Sequence, residues 1–281
     1  MPSASPSSAA PALANRTAVV TGASSGIGRA IAEVFAAEGA CVYLAGRTRA
    51  AMEETRERIE KAGGRAAVVA LDVREPEAVQ ALVDDAVAET GRLDVMVNNA
   101  GVSFPGPIAE GDPEHWRIML ETNVLALLVG CQAAVRAMRK TGAGGHIVNV
   151  SSIAAQRRDS GVYGATKHAV NCISATLRAE LENEPIRVVN VMPGAIATNF
   201  ARNFEPAFVQ GFLRGAGVEG VEVRRGERLP DEAFERLADG PLKQMLGAPE
   251  DVARAVLFAV TQPLHVHVAD IVIRPPKQIP L

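Results

Sequence analysis

The stretch TAVVTGASSGIG, residues 17–28, decides the fold of this chain. It begins with an apolar run of strand type, passes through three glycines and continues into a segment with helical spacing. Glycine lets the backbone approach a ligand closely, and a helix N-terminus offers free N–H groups to an anion. We therefore predict a strand–turn–helix unit that binds a pyrophosphate, although a tight turn requires glycine in any case. The predicted contacts are Gly22, Ser24, Ser25, Gly26, Ile27 and Gly28.

The same alternation of strand and helix continues along the chain. Val- and Ile-rich runs without polar alternation are typical of parallel strands that are buried on both faces. The predicted strands are 17–21, 40–45, 66–71, 95–98, 146–150, 186–192 and 271–273, and the predicted helices are 27–38, 49–61, 77–90, 113–140, 161–183 and 249–260. This order predicts a doubly wound parallel α/β sheet with right-handed crossovers.

A single domain accounts for residues 15–281. Residues 1–14 are mostly Ser, Pro and Ala, and we expect them to form a disordered tail. Segment 199–247 interrupts the strand rhythm just after the sixth strand and contains helical patches at 205–213 and 231–237. Open α/β sheets bind ligands at that edge, so we predict a substrate-side flap there, with an ordinary surface insertion as the alternative.

Composition and charge exclude several classes of protein. The 281 residues are 48% hydrophobic and 22% charged, as in soluble globular proteins, and the net charge of −3 gives no reason to expect nucleic-acid or membrane binding. We find no uncharged apolar run of about 18 residues, the length of a spanning helix. The three cysteines are interpreted as buried free thiols of a cytoplasmic protein. His265 and His267 have no third metal ligand nearby in sequence, so no metal site is predicted.

The end of the second strand indicates which dinucleotide binds. An Asp or Glu about 20 residues after the glycines would bind the ribose 2′-hydroxyl of NAD(H), but Gly46 occupies that place and Arg47 follows. A guanidinium can bind a 2′-phosphate with two charge-assisted hydrogen bonds. The sequence therefore favours NADP(H) over NAD(H), with a solvated loop charge as the alternative reading of Arg47.

Two further turns follow the third and fourth strands. Asp72 and Val73 come after the third strand, and Asn99, Ala100 and Gly101 come after the fourth. Asp72 can accept a hydrogen bond from an adenine amino group, and the small residues permit close approach to a ribose. Each motif alone is ordinary turn chemistry, but parallel strands bring both to the same sheet edge.

Tyr163 and Lys167 are the candidate proton-transfer groups. Their spacing of four residues places both side chains on one helix face. A free phenol titrates near pH 10, and lowering its pKa by about three units requires roughly 4 kcal/mol of interaction with positive charge. We therefore interpret Tyr163 as a general acid tuned by Lys167, with a core tyrosine beside a surface lysine as the alternative.

These motifs, in this order, resemble the short-chain dehydrogenase/reductase family. The resemblance rests on 21–28, Asn98–Gly101, Glu121–Asn123, Ser151–Ser152, the Tyr163/Lys167 pair and 193–198. It implies a seven-stranded Rossmann sheet of order 3-2-1-4-5-6-7 and a catalytic tetrad of Asn123, Ser152, Tyr163 and Lys167. By the same resemblance, Asn123 holds a relay water, Ser152 polarises a carbonyl, and Pro193, Gly194, Ile196 and Thr198 contact the nicotinamide side of the cofactor.

Some features narrow or weaken that resemblance. The C-terminal segment 249–278 resembles NADP-dependent 3-hydroxy acid (serine) dehydrogenases and clavulanate-dehydrogenase-like reductases. Ser152 lies two residues nearer Tyr163 than is usual in the family, so Ser151 remains an alternative. Arg157 and Arg158 in the short intervening loop could bind an acidic substrate or could be ordinary exposed charges.

The resulting expectation is an NADP(H)-dependent oxidoreductase that acts on a small-molecule carbonyl or secondary alcohol. The alternatives are an epimerase or dehydratase that uses the same Tyr–Lys pair, and a catalytically silent nucleotide-binding protein. The resemblance also implies a homotetramer or homodimer formed through helices 113–140 and 161–183.

Overall fold

The computed structural model describes residues 10–240 and 244–277, and a seven-stranded parallel sheet forms its centre. The strands are β1 (Thr17–Thr21), β2 (Cys41–Gly46), β3 (Arg65–Ala70), β4 (Val95–Asn98), β5 (Gly145–Val150), β6 (Ile186–Pro193) and β7 (Asp270–Ile273). Their order is β3-β2-β1-β4-β5-β6-β7. The doubly wound fold and the predicted strand order are therefore confirmed.

The helices flank this sheet. They are α1 (Gly26–Ala37), α2 (Arg49–Lys61), α3 (Pro76–Thr90), α4 (Pro113–Leu120), α5 (Ala126–Thr141), α6 (Gly161–Glu180), α7 (Pro206–Gly215), α8 (Asp231–Asp239) and α9 (Pro249–Val260). The single helix predicted at 113–140 is α4 and α5 joined by a π-helical turn, Glu121–Leu125. Apolar periodicity does not reveal a one-turn π insertion, because the helix continues on both sides of it.

The core lies on both faces of the sheet. Neighbouring residues of a strand point to opposite faces, so Val20 packs in one cluster and Val19 in the other. Val20 lies with buried side chains of α1 and α9, whereas Val19 lies with buried side chains of α3 and α5. Burial on both faces explains why these strands lack polar alternation.

The packed fold begins earlier than the predicted boundary at residue 15. Leu13 is fully buried in the cluster beside α1. Its backbone N–H donates to the Glu38 carbonyl at 2.8 Å, and the Ala12 N–H donates to Glu38 Oε2 at 2.9 Å. The prediction of a disordered tail is therefore wrong for residues 12–14, because one leucine in a Ser/Ala/Pro segment suffices to anchor it. Residues 1–9 lie outside the described residues.

The flap predicted at 199–247 contains α7 and α8, close to the two predicted helical patches. Val209 and Leu213 of α7 pack with Ala233 and Leu237 of α8 in a small apolar cluster of its own. The flap returns to the sheet at Gly247, whose carbonyl accepts from the Ala197 N–H at 3.0 Å. Residues 241–243 of this segment lie outside the description.

One helical segment of the chain resembles a membrane-spanning helix, and the cysteines differ from their predicted burial. The helical segment Pro113–Thr141 is long and apolar enough to cross a membrane by length and composition, with half of its most apolar window buried. Core helices meet the same criterion, so this is weak evidence for a membrane span. The three cysteines are free, as predicted, but of the three only Cys131 is buried, whereas Cys41 is half-buried and Cys172 is exposed on α6. Apolar neighbours in sequence do not determine which way a side chain points.

Candidate active site

A cleft of about 270 Å³ opens at the carboxyl ends of β1 to β4. The strand order reverses between β1 and β4, so the chain leaves these two strands toward opposite sides of the cleft. Open α/β sheets bind ligands at such a point. The predicted residues that line the cleft are Gly22, Ser24, Ser25, Gly26, Ile27, Gly28, Arg47, Asp72, Val73, Asn99, Ala100, Gly101 and Thr198. Tyr163, Lys167, Pro193, Gly194 and Ile196 are not in its lining.

The glycine turn is fastened to the end of β4. The Asn99 side-chain amide donates to the Thr21 carbonyl at 2.8 Å, and the Asn99 and Ala100 N–H groups donate to Thr21 Oγ1 at 3.0 and 3.1 Å. Gly26 has φ +55, and a Cβ there would lie 2.9 Å from Thr198 Cγ2. Glycine therefore lets the turn pack closely against both β4 and the segment after β6.

The N-terminus of α1 has the features that an anion requires. Ser25 is its N-cap residue and makes no side-chain capping bond, and the first turn contains no acidic residue. The first N–H groups and the positive end of the helix dipole are thus open to a negative ligand. Ser25 and Gly26 line the cleft, so this helix N-terminus faces the space in which the sequence predicts a pyrophosphate.

Arg29 of α1 supports the glycine turn on the side away from the cleft lining. Its side chain is buried and donates to the Ser24 carbonyl at 2.8 Å and to Asp231 Oδ2 at 2.9 Å. Thr55 Oγ1 accepts from Arg29 Nε and donates to the Ala23 carbonyl, each at 3.1 Å. Arg29 thereby links the glycine turn to α2 and to the flap, a role that helical periodicity could not reveal.

Arg47 shares the cleft with two arginines of the flap that the sequence analysis missed, Arg202 and Arg228. Arg47 is exposed and Arg202 is half-buried. Burial, followed by the positive charges of Arg47 and Arg228, lowers the pKa of Arg202. Arg202 therefore lies close enough to both Arg47 and Arg228 to be repelled by their charges.

The Asp72 carboxylate is already paired within the chain. Arg74 donates to it from Nη2 at 2.7 Å and from its backbone N–H at 3.0 Å. These hydrogen bonds lower the pKa of Asp72. A contact with adenine would have to use the lone pairs that Arg74 leaves.

Tyr163 and Lys167 lie on one face of α6, as predicted, with Lys167 Nζ 5.9 Å from the centroid of the Tyr163 ring. The buried ammonium donates to the Val150 carbonyl at 2.8 Å. Burial lowers the pKa of Lys167 to about 8 and raises the pKa of Tyr163 to about 12, although the nearby Ser152 side chain acts to lower the pKa of Tyr163. The expected lowering of the Tyr163 pKa by Lys167 is therefore absent, because desolvation dominates and the opposing contribution comes from Ser152.

The two candidate serines have different surroundings. Ser151 is buried, and its hydroxyl donates to Asn171 Oδ1 at 2.7 Å and to the Lys167 carbonyl at 3.2 Å. Ser152 is only partly buried, caps the short helix Ile153–Gln156 and lies close enough to Tyr163 to act on the pKa of its phenol. The hydroxyl beside the phenol thus belongs to Ser152.

Asn123 lies in the π turn and its side chain is committed to neighbouring backbone. Its Oδ1 accepts from the Val102 N–H, and its Nδ2 donates to the Val102 carbonyl, both at 2.9 Å. A third bond joins Nδ2 to Thr166 Oγ1 at 3.1 Å, directly before Lys167. Asn123 therefore fixes the loop after β4 against α6, while a water held by this residue remains a prediction.

The segment after β6 holds other parts of the fold together. The Gly194 N–H donates to the Ile273 carbonyl at 2.7 Å, Pro193 pairs with Ile273 at the end of β7, and Ile196 forms a bridge with Gly247. Phe200, another residue that the sequence analysis missed, packs on Tyr163 with ring centroids 5.2 Å apart. The flap thus begins directly against the candidate acid.

The structure also shows the surroundings of Arg157, considered above as a contact for an acidic substrate, and of His267, considered as a metal ligand. Arg157 forms an ion pair with Asp159, with Nε 3.0 Å from Oδ1, so its charge is partly neutralised. His267 Nε2 lies 3.0 Å from the Val188 carbonyl. Within residues 10–240 and 244–277, no cluster of three or more His, Cys, Asp or Glu side chains could hold a metal ion.

The motif order and geometry agree with a family model. The model for short chain dehydrogenases matches residues 16–207, which include the glycine turn, Asn123, Ser152, Tyr163 and Lys167. The chain belongs to the short-chain dehydrogenase family. Members of this family bind a nicotinamide cofactor. The family match and the relatives described as oxidoreductases show that this chain is an oxidoreductase.

Relatives and solved structures resemble this short-chain dehydrogenase over nearly its whole length. An uncharacterized oxidoreductase of Methylorubrum extorquens is 38% identical over 88% of this chain and 90% of its own, and one of Staphylococcus aureus is 32% identical over 94% and 98%. An alcohol dehydrogenase of the archaeon Thermococcus sibiricus, complexed with 5-hydroxy-NADP, has a TM-score of 0.75 at 25% identity over 95% and 99%. A metagenomic short-chain oxidoreductase in complex with NADP has a TM-score of 0.72 at 28% identity over 95% and 100%.

Proposed function

We propose that this protein is an NADP(H)-dependent reductase or dehydrogenase that interconverts a carbonyl compound and a secondary alcohol. The observation that carries the proposal is the half-buried side chain of Tyr163, whose phenol is kept neutral by desolvation and lies near Ser152 and beside Lys167. A substrate carbonyl that accepts from the Ser152 hydroxyl would also lie within reach of the phenol. The sequence motifs of the family predict the same pair of contacts.

The cleft and the α1 N-terminus would hold the cofactor, which supplies or accepts the hydride when it is bound. Tyr163 donates its proton to the carbonyl oxygen during reduction and accepts a proton during oxidation. Ser152 orients that oxygen, and Lys167, with one N–H committed to Val150, has two N–H groups left for the ribose of the nicotinamide. Arg47 supports NADP(H) over NAD(H), as do the solved structures named above with NADP or its analogue.

The raised pKa of Tyr163 bears on the direction of proton transfer. Because desolvation keeps the phenol protonated at neutral pH, the chain's own groups favour the proton-donating form. A phenolate would require additional positive charge beside the ring, which the oxidised nicotinamide carries. We therefore propose that near neutral pH the enzyme is already in the protonation state that carbonyl reduction requires.

The test is Tyr163→Phe, with Tyr43→Phe as its control, because these are the two tyrosines of the chain. Tyr43 donates to Glu89 Oε2 at 2.6 Å, away from the cleft, so its replacement leaves the site intact. We expect Tyr163→Phe to lower kcat by about 100- to 10,000-fold without weakening NADPH binding, because general acid catalysis contributes that much. The assay is loss of NADPH absorbance with a panel of hydroxy acids, steroids, aryl ketones and quinones.

Three results would contradict the proposal. Comparable kcat values for Tyr163→Phe and the wild type would remove Tyr163 as the acid. Product formation without an equal amount of NADPH consumed would instead favour an epimerase or dehydratase, and absence of turnover with NADPH still bound would favour a silent nucleotide-binding protein.

We further propose that the protein is a cytoplasmic homodimer or homotetramer. Leu120, Leu125 and Leu128 are exposed along the α4–α5 segment, and Cys172 lies in the groove between α5 and α6 beside Leu125 and Leu128. A second copy that covers this face would bury these side chains, as the family resemblance predicts. Its molar mass in light scattering, against 29.5 kDa for one chain, measures the oligomeric state.

A further inference from the structure

We infer that the flap completes the site for the 2′-phosphate of NADP(H), with Arg202 and Arg228 of the flap and Arg47 after β2 surrounding one phosphate. This inference rests on the proposed function. It adds two residues that no motif of the sequence marks, and it predicts that the phosphate further stabilises the flap in the position that the structure shows.

Hydrogen bonds within the flap place the two arginines together. The Leu229 N–H donates to Asn199 Oδ1 at 2.7 Å, and the Gly226 N–H donates to the Arg202 carbonyl at 2.7 Å. The segment 226–229 is therefore held against 199–202. Arg202 and Arg228 both line the cleft as a result, opposite the turn that carries Arg47.

Arg228 lies toward the α2 side of the cleft. Its Nη1 is 3.9 Å from Glu54 Oε2 on α2, and α2 begins directly after the turn that contains Arg47. The end of β2 is where dinucleotide folds recognise the 2′ position of the adenosine ribose. The flap arginine thus lies near that position, whereas the pyrophosphate has its own place at the N-terminus of α1.

The positive charge of this cluster is poorly compensated by the chain. Arg202 donates to the Asn199 carbonyl at 3.0 Å, and Arg228 Nε is buried without a hydrogen-bond partner. Among the residues that the structure describes, Glu54 is the carboxylate that comes within 4.0 Å of any of the three guanidinium groups, at 3.9 Å. A buried donor without a partner is unfavourable, and a phosphate dianion would satisfy several such donors at once.

The arrangement couples the ligand to the flap. A 2′-phosphate that binds Arg47 on the sheet side and Arg202 and Arg228 on the flap side stabilises the closed flap by mass action. NAD(H) lacks that phosphate and has no means of joining the two sides here. We therefore expect the flap to respond to NADP(H) and to respond little to NAD(H).

The experiment measures binding of adenosine 2′,5′-bisphosphate and adenosine 5′-monophosphate by titration calorimetry. Arg228→Met and Arg202→Met should each weaken binding of the bisphosphate by about 10- to 100-fold, the loss expected for a charge-assisted hydrogen bond, while the monophosphate changes less than about twofold. Arg225→Met is the matched control, because Arg225 is exposed on the same loop and pairs with Glu205 at 3.1 Å. Arg228→Lys should give an intermediate loss, since it keeps the charge without the fork of donors.

A second readout uses the wild-type chain. Trypsin can cleave after the exposed Arg224 and Arg225 in the flap. The bisphosphate should slow this cleavage at least fivefold, whereas the monophosphate at equal occupancy should leave it nearly unchanged.

Other outcomes overturn the inference in distinguishable ways. Unchanged bisphosphate affinity in Arg228→Met and Arg202→Met, equal losses for both nucleotides, or equal protection by both nucleotides would overturn the role of the flap. If the wild type binds both nucleotides equally and Arg47→Met changes neither affinity, the proposed preference for NADP(H) fails as well. The Tyr163→Phe result is independent of all these measurements.

Discussion

Burial controls the protonation of the two central side chains, Tyr163 and Lys167. Removing a charge from water is costly, so burial holds the phenol neutral and lets the lysine lose its proton at about pH 8. Lys167 is nevertheless held in a fixed position, because its ammonium donates a hydrogen bond to the Val150 carbonyl. The residues of the chain therefore keep the Tyr163 phenol in its proton-donating form. The positive charge of a bound oxidised nicotinamide would be needed to convert it to a proton-accepting phenolate.

The lowered pKa of Lys167 predicts how stability depends on pH. The unfolded lysine titrates near 10.5 and the folded one near 8, so the ammonium destabilises the fold fully below pH 8, and this penalty disappears as the pH rises toward 10.5. Relative to Lys167→Met, the wild type should therefore gain roughly 2–3 kcal/mol of unfolding free energy between pH 7 and pH 10. Urea unfolding at both pH values measures this difference.

Lys140→Met is the control for that measurement, since Lys140 is an exposed lysine at the end of α5. Carboxylates and tyrosines contribute alike to all three proteins and cancel in the comparison. Parallel pH profiles for the wild type and Lys167→Met would contradict the burial argument.

The strand–turn–helix element depends on the absence of side chains at its glycines. A Cβ at Gly28 would lie 2.5 Å from Asn99 Nδ2 and would also collide with the Gly22 carbonyl oxygen. The side-chain amide of Asn99 fastens this turn to β4, so α1 approaches the sheet closely only where residue 28 has no side chain. The same closeness aims the N-terminus of α1 into the cleft.

Gly28→Ala tests this element. The added methyl group should force α1 away from β4, costing about 1–3 kcal/mol of unfolding free energy by overpacking and weakening NADPH binding at least tenfold. Gly211→Ala in α7 is the matched control, because a Cβ there meets nothing within 4 Å. Alanine has the higher helix propensity, so the control should be stabilised by about 0.5–1 kcal/mol. Thermal melts and NADPH fluorescence titration measure both effects; equal behaviour of the two variants would contradict the packing argument.

At the scale of the whole molecule, one ionic cluster joins the flap to helices α1 and α2 beside the sheet. Asp231 at the start of α8 accepts from Arg29 Nη1 at 2.9 Å and from Arg58 Nη2 at 2.7 Å. Arg29 at the same time holds the Ser24 carbonyl of the glycine turn. The position of the flap and the shape of the cofactor turn are therefore linked through one buried guanidinium.

Asp231→Asn should loosen the flap without unfolding the rest of the fold. The variant loses the negative charge between Arg29 and Arg58, and since Asp231 is 41% exposed we expect a cost of only about 1–2 kcal/mol. Local opening should increase about five- to thirtyfold, measured as the rate of trypsin cleavage within the flap. Glu232→Gln, a neighbouring charge change, should leave that rate unaltered. An unchanged rate for Asp231→Asn would show that the apolar cluster alone holds the flap.

The sequence by itself determined the sheet. Strands buried on both faces and glycine at the first turn are local patterns, so the order of residues is enough to predict them, and the family resemblance supplied the strand order. The neighbourhood of Tyr163 and Lys167 was likewise predictable, because a spacing of four residues on a helix fixes which side chains share a face. The π turn, the burial of Leu13 and the exposure of Cys172 were not, because each depends on what a segment packs against.

Only the tertiary structure decided which charges belong to the site. Arg29, Arg202 and Arg228 resemble ordinary surface arginines in the sequence. Folding brings Arg202 and Arg228 into the cleft from two separate parts of the flap, and it places Arg29 behind the glycine turn, where it holds the Ser24 carbonyl. It also decided the direction of the Tyr163 pKa, since desolvation is set by everything packed around the ring and not by the lysine four residues away. Local spacing specifies neighbours within an element, whereas burial and long-range charge are properties of the assembled molecule.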